Sequence, residues 1–272
     1  MTGARVLDAG CGFGMTCFGF MAADDAPSGI VGLDPSAGKI EVMRKLAAFL
    51  SVGEERVRPI MGDALDMGFD DGSFDVVFVK DVTSHIRDRE RFHSGIARVL
   101  RKGGRLLLTD ENNALDIFGW LPRKRLWLQN EMGPLPAGLW MPQPYREMRR
   151  GMIDEWRTDL PEETREHLAA ESKGMWGEDL RTAIEGFSLG SQFKNTADFP
   201  YRHPQSGEYM EYPLNPFKLA GDLSRFGLRA KVLRPWFASG KKLRRIAGEV
   251  IRALHPLSIF IQPNFYILAV KE

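Results

Sequence analysis

Cysteine is scarce in this chain, with two in 272 residues. Cys11 and Cys17 stand six apart, and no second cysteine pair or histidine cluster joins them. A disulfide scaffold and a zinc site are therefore both excluded, and the pair reads as reduced, buried side chains of a cytoplasmic protein. An excess of one charge is also missing: 37 basic and 36 acidic residues leave a net charge of +1. That balance speaks against the broad basic surface of a DNA-binding protein. Long apolar runs are absent too. The longest, Leu257 to Val270, is interrupted by Gln262-Pro263-Asn264 and falls short of the roughly 20 residues of a membrane helix. Met1 to Arg5 leads straight into Val6-Leu7, so no secretory signal is expected. With 43% hydrophobic and 27% charged residues, the composition is that of a folded soluble protein.

Strand-like and helix-like patterns alternate through the first 112 residues. Ala4–Ala9, Gly29–Asp34, Val57–Met61, Phe74–Lys80 and Arg105–Thr109 read as short strands rich in Val, Ile, Leu and Phe. Between them, Gly14–Ala23, Ser36–Leu50 and a segment from Arg87 or Asp88 to Leu100 read as helices, the last stopping at Lys102-Gly103-Gly104. Repeated βα units of this length predict a doubly wound, Rossmann-like α/β fold, because parallel neighbours need crossover helices. Ligands on such sheets sit beyond the carboxyl ends of the strands.

From Asn113 to Tyr212 the rhythm changes. The stretch is rich in proline and holds Trp120, Trp127, Trp140, Trp156 and Trp176, five of the six tryptophans. It reads as an inserted, mainly helical cap (residues 113–212) in a core made of residues 1–112 and 213–272. Its aromatics form either an apolar lid or the cap's own core; Tyr201, His203 and Tyr209 are its polar candidates. Asn215-Pro216 then opens a helix, and Arg229–Leu233 and Phe265–Val270 supply the last strands, for seven in a mostly parallel sheet.

Asp8, Gly10, Gly12 and Gly14 form D-x-G-x-G-x-G at the first strand-to-helix turn. Glycine there permits tight turns and lets a ligand approach the backbone. A nicotinamide fingerprint would need glycine at position 15, where Met15 stands. The spacing instead suits an amino-acid and nucleoside ligand, with Asp8 offering a carboxylate.

Val6-Leu7-Asp8-Ala9-Gly10-Cys11-Gly12-Phe13-Gly14 resembles the first motif of class I S-adenosylmethionine-dependent methyltransferases, and the likeness covers residues 4–112 and 213–272. The resemblance implies that the loop glycines, with Cys11 and Phe13 among them, contact the methionine part of the cofactor. It implies that Asp34, followed by Pro35, takes the ribose hydroxyls, a task suited to the two oxygens of a carboxylate. Gly62-Asp63-Ala64 resembles the motif whose Asp accepts from the adenine amino group. Phe74 to Asp81 with His85-Ile86-Arg87-Asp88, and Val99 to Leu108, resemble the fourth strand, its loop and the turn into the fifth; Lys80 and Asp81 join the cofactor set on that basis.

Methyl transfer from an activated sulfonium mainly requires alignment and control of the acceptor's proton. His85 stands on the rim where an acceptor would sit, as a general base or as a residue that ties down its loop, with Asp81 assisting. Asp110, Glu111, Asn112 and Asn113 cluster at the end of the fifth strand and, with Asp81, invite comparison with an oxygen-rich metal site; a cap and loop role is preferred, and no metal is expected. The expected acceptor is a small, lipid-like or glycan molecule methylated on oxygen or carbon. An inactive cofactor-binding partner subunit and an RNA methyltransferase are the competing classes. Lys241–Leu254 is amphipathic and basic, either packed on the sheet or resting peripherally on an anionic membrane.

Overall fold

The computed structural model describes residues 2–135, 141–188, 190–234 and 252–272. The basic segment 241–251, and Trp140 in the insert, lie outside the described residues. The chain divides into two compact units, one formed by Met1–Ile117 with Pro213–Glu272 and the other by Phe118–Tyr212.

The first unit is built on a seven-stranded sheet. Its strands are β1 (Arg5–Ala9), β2 (Gly29–Asp34), β3 (Val57–Met61), β4 (Phe74–Lys80), β5 (Leu100–Glu111), β6 (Leu228–Val232) and β7 (Asn264–Lys271). They lie in the order β3-β2-β1-β4-β5-β7-β6. The first five are parallel, and β7 runs antiparallel between β5 and β6. This is the mostly parallel, Rossmann-like sheet that the alternating pattern predicts. Leu7, Ile30, Leu33, Val77, Val79, Leu106 and Leu108 are buried along these strands, as expected of parallel strands covered on both faces.

Crossovers α1 (Met15–Met21), α2 (Ala37–Phe49) and α3 (Arg89–Val99) link the parallel strands, and α8 (Pro216–Ser224) precedes β6. The starts of α2, α3 and α8 have a local cause. The Ser36 hydroxyl accepts the Lys39 N–H at 3.4 Å, and the Asp88 carboxylate accepts that of Arg91 at 2.9 Å. Asn215 accepts the N–H groups of Phe217 and Lys218 at 3.0 and 3.3 Å, with Pro216 in the first turn. Each satisfies an N–H that the helix itself leaves unpaired.

The fifth strand departs from expectation. Instead of starting after Gly103-Gly104, β5 begins at Leu100, and its register with β4 shifts between the pairs Phe74–Leu100 and Val76–Arg105. The extra residues form a bulge around Gly103, whose φ of 73° suits glycine. The glycines are part of the strand, not a stop before it.

Residues 113–117 stay with the sheet unit. Asn112 Nδ2 donates to the carbonyls of Ile259 and Gln262 at 2.6 and 2.9 Å, and the Ile117 N–H donates to the Phe260 carbonyl at 3.0 Å. These bonds tie the chain to the short helical turn Leu257–Ile261 that leads into β7.

The second unit contains α4 (Trp120–Met132), α5 (Tyr145–Trp156), α6 (Glu162–Glu171) and α7 (Gly177–Ser188). Its own core joins Ile153, Leu168, Ala169, Met175, Leu180 and Ile184. A second cluster stacks Trp127 on Tyr201 at 5.2 Å and sets it edge-on to Phe199 at 5.4 Å. Arg149 is fully buried and forks onto Glu131, while its Nε and Nη2 donate to the Ala169 carbonyl at 3.2 and 3.1 Å. The pair is thus buried with most of its hydrogen-bonding capacity used.

Candidate functional site at the carboxyl edge of the sheet

The parallel register brings three chain segments to one edge. Asp8 pairs with Gly32, Ala9 with Leu33, and Asp34 with Met61, so β1, β2 and β3 end side by side with their loops pointing the same way. Gly10, Gly12 and Gly14 have φ of 88°, 56° and 80°, the left-handed region that other residues enter at a cost. Gly10 and Cys11 donate their N–H groups to the Leu33 carbonyl at 2.7 and 3.0 Å, which fastens the loop to β2.

Two of these glycines are required by packing as well as by backbone conformation. A Cβ on Gly10 would lie 2.2 Å from Val82, and one on Gly14 would lie 2.6 Å from Met43. Gly12 differs, because a Cβ there meets nothing within 4 Å. The outer side of the loop is open at Gly12, where a ligand could lie against the backbone.

Asp34 is buried, and each of its oxygens already accepts one N–H: Oδ2 from Gly12 at 2.9 Å and Oδ1 from Ser36 at 2.9 Å. A carboxylate offers about four acceptor positions, so capacity for two hydroxyl donors remains. Lys39 Nζ lies 4.0 Å from Oδ2. Pro35 follows directly. Just after β3, Gly62 donates its N–H to the Asp34 carbonyl at 3.1 Å, and a Cβ there would crowd Leu33 at 2.8 Å. Asp63 is exposed, with Oδ1 accepting the Leu65 N–H at 2.8 Å, and Ala64 is buried beside it.

Asp8 is buried beneath the loop. Burial pushes its carboxyl up to about 6, opposed by the hydrogen bond from the Cys17 thiol at 3.3 Å and by the charge of Lys80, and reinforced by Asp34. Burial likewise pushes the Cys11 thiol up to about 12 and raises that of Cys17. Both sulfurs remain protonated at neutral pH and serve as packing, not as nucleophiles. Phe13 is half exposed at the tip of the loop.

The fourth strand delivers Lys80 and Asp81, both exposed and 3.8 Å apart, to the same edge. Asp81 adopts φ 53° while its N–H donates to the Thr109 carbonyl at 3.0 Å. The chain then turns tightly, and the His85 N–H donates to the Val82 carbonyl at 3.0 Å. Asp110, fully buried at the end of β5, accepts the Ser84 N–H at 3.0 Å and that of Glu111 at 2.9 Å. Burial raises its carboxyl, against the Ser84 and Glu111 hydrogen bonds and the nearby His85, whose charge favours the anion. The acid cluster at the end of β5 therefore anchors loops: Asp110 secures the turn that carries His85, and Asn112 secures the chain before β7. Among the described residues no group of acidic, histidine or cysteine side chains could hold a metal ion.

In the helical unit, Tyr201, His203 and Tyr209 have structural partners. Tyr201 stacks on Trp127, the Tyr209 hydroxyl donates to Asp198 at 2.7 Å, and His203 Nδ1 accepts the Ser206 N–H at 3.1 Å. Asp110 is the contributor whose role the sequence hides, since its partner Ser84 is 26 residues away.

A parallel sheet with a glycine loop after β1 and an acidic residue closing β2 defines a nucleoside-binding α/β domain. Residues 7–108 match the family model described as methyltransferase domain. Residues 7–108, which run from β1 into β5, are thus similar to a methyltransferase domain. The chain is 36% identical over 108 residues to the 27-O-demethylrifamycin SV methyltransferase of Amycolatopsis mediterranei, covering 40% of this chain and 39% of that protein. It is 27% identical over 154 residues to the 2-methyl-6-phytyl-1,4-hydroquinone methyltransferase of Synechocystis, covering 57% of this chain and 40% of that one. The match therefore spans about two fifths of the length of these relatives. Among solved structures, an S-adenosylmethionine-dependent methyltransferase of Listeria monocytogenes shares the fold, with a TM-score of 0.52 at 16% identity over 100% of this chain and 91% of that one. No described helix is long and apolar enough to cross a membrane.

Proposed function

We propose that the protein transfers a methyl group from S-adenosylmethionine to an oxygen or carbon of a small, lipid-like or glycan acceptor. The observation that carries this is the buried Asp34 carboxylate, which spans the Gly12 and Ser36 N–H groups and faces a loop open at Gly12. When bound, the cofactor supplies an electrophilic methyl on a sulfonium sulfur. The residues proposed to hold it are Asp8, Gly10, Cys11, Gly12, Phe13 and Gly14 after β1, Asp34 and Pro35 after β2, Gly62, Asp63 and Ala64 after β3, and Lys80 and Asp81 after β4.

In this reading, the loop backbone and Asp34 orient the donor, so that much of the rate gain comes from alignment. His85 takes the acceptor's proton, and the buried Asp110 keeps the His85 turn in position through the Ser84 N–H. Asp81, at the strained start of that turn, assists. Both named relatives act on small molecules, and one of these is a phytyl quinol, which supports a small or lipid-like acceptor.

Titration calorimetry with S-adenosylmethionine on the intact protein and on Asp34→Ala tests the donor: binding by the first and a loss of at least about 100-fold in the second is expected. No binding by the intact protein would overturn the proposal. Labelled methyl transfer into lipid, glycan and RNA fractions tests the acceptor, and label confined to RNA would replace it. His85→Ala is expected to retain donor binding while turnover falls about 100-fold or more.

A further inference from the structure

Val82 has no acid–base chemistry of its own, yet it fills the space where Gly10 lacks a side chain. A Cβ at Gly10 would lie 2.2 and 3.1 Å from the two Val82 methyl carbons and 3.3 Å from its Cβ. The half-buried isopropyl group is therefore wedged against the glycine loop. Branching at Cβ restricts χ1, which makes the wedge stiff.

The loop is held on its other side as well. β1 lies between β2 and β4 in the sheet, and on the β2 side Gly10 and Cys11 both donate to the Leu33 carbonyl, at 2.7 and 3.0 Å. Gly10 cannot move that way without straining two hydrogen bonds, and on the β4 side it meets Val82. The turn that carries Val82 is short and closed: the His85 N–H donates to the Val82 carbonyl at 3.0 Å, and that of Ile86 to the Thr83 carbonyl at 3.3 Å. Two further bonds fasten the turn to β5, from the Asp81 N–H to the Thr109 carbonyl and from the Ser84 N–H to Asp110, both at 3.0 Å. A displacement of Gly10 thus reaches His85 through one stiff side chain and one short turn.

We infer that Val82 is a positioning residue that couples the conformation of the glycine loop to the placement of His85, so that a donor seated on the open side at Gly12 sets the base. The inference rests on the proposed methyl transfer, in which His85 takes the acceptor's proton.

The test follows the His85 imidazole by NMR in the histidine-labelled full chain, its signal assigned by its loss in His85→Gln. Adding S-adenosylhomocysteine should move that signal in the intact protein and in Val82→Thr, which keeps the branched shape. In Val82→Ala the signal should no longer move, although calorimetric affinity for S-adenosylhomocysteine stays within about threefold. Turnover of that variant should show kcat lowered about tenfold or more with the donor KM unchanged, as expected of a misplaced base. The second arm needs no donor: Gly10→Ala should move the His85 signal when Val82 is present and leave it in place in the Val82→Ala background. A His85 signal that ignores S-adenosylhomocysteine bound to the intact protein, or that responds equally with and without the Val82 methyl groups, overturns the inference. If the intact protein binds no S-adenosylhomocysteine, the donor reading fails and the Gly10→Ala arm decides the coupling; if Gly10→Ala does not fold, the donor arm decides it.

Discussion

Asp34 Oδ2 accepts the N–H of Gly12 at 2.9 Å across 22 residues of sequence. The carboxylate proposed to meet a nucleoside therefore also holds the loop proposed to meet its amino-acid part. The shape of the glycine loop and the charge at the end of β2 are one construction.

Gly12 separates folding from binding in a way that Gly10 does not. Gly12→Ala keeps open space around its Cβ, so its cost is the left-handed backbone alone, about 1–2 kcal/mol. Gly10→Ala adds a collision with Val82 and should cost about 2–4 kcal/mol. Denaturant unfolding should rank the two in that order. Calorimetry should show Gly12→Ala binding S-adenosylmethionine at least about tenfold more weakly while still folded; unchanged affinity would remove the loop from the donor site.

Asp8 and His93 impose opposite pH dependences on stability. The Asp8 carboxyl is held at about 6 by burial, above its unfolded value, so the folded state binds the extra proton. Its contribution is present in acid and is lost as pH rises from about 4 to 6, on the order of 3 kcal/mol in all. Asp8→Asn should therefore gain stability relative to the parent as pH rises through that window, measured by unfolding at pH 4.5 and 7.5.

His93 is buried in α3, and burial, with Arg89 nearby, pushes it down to about 4, opposed by Asp222. Here the unfolded state binds the proton first, so stability present above pH 6.5 is lost as pH falls towards 4, again on the order of 3 kcal/mol. The two slopes oppose each other in the intact protein across this range. His93→Leu should unmask the Asp8 slope, and Asp8→Asn the His93 slope; parallel profiles for the two variants would refute the pairing.

Arg149→Met should destabilise the protein by about 3–5 kcal/mol, because Glu131 would be left charged and buried. Adding Glu131→Leu should recover much of the loss, since an apolar pair of similar volume replaces a desolvated ion pair. A double-mutant cycle in chemical denaturation reads the coupling directly.

The sheet and donor loop were legible because their signals are local. β2 and β4 begin and end where Gly, Pro, Asp and Ser bracket runs of Val, Ile, Leu and Phe, and Asn215-Pro216 announces α8. Gly103-Gly104 misled, because a bulge and a stop use the same residue, and only pairing with β4 separates them. Asp110 reads as a cap or loop residue at the site edge in preference to a metal ligand, and its oxygens accept the Ser84 and Glu111 N–H groups; its pairing with Ser84, 26 residues away, leaves no trace in spacing. The insert's tryptophans divide in structure as they could not in sequence: Trp127 is buried in an aromatic cluster, while Trp120 stands half exposed on α4.

The helical unit has a core of its own, from Ile153 through Ile184, and this gives the molecule two separately cooperative parts. Amide protons of α5, α6 and α7 can exchange by opening that core alone, while those of β1, β4 and β5 wait for the sheet to melt. A protein with two such cores can lose the order of one region while the other keeps its own.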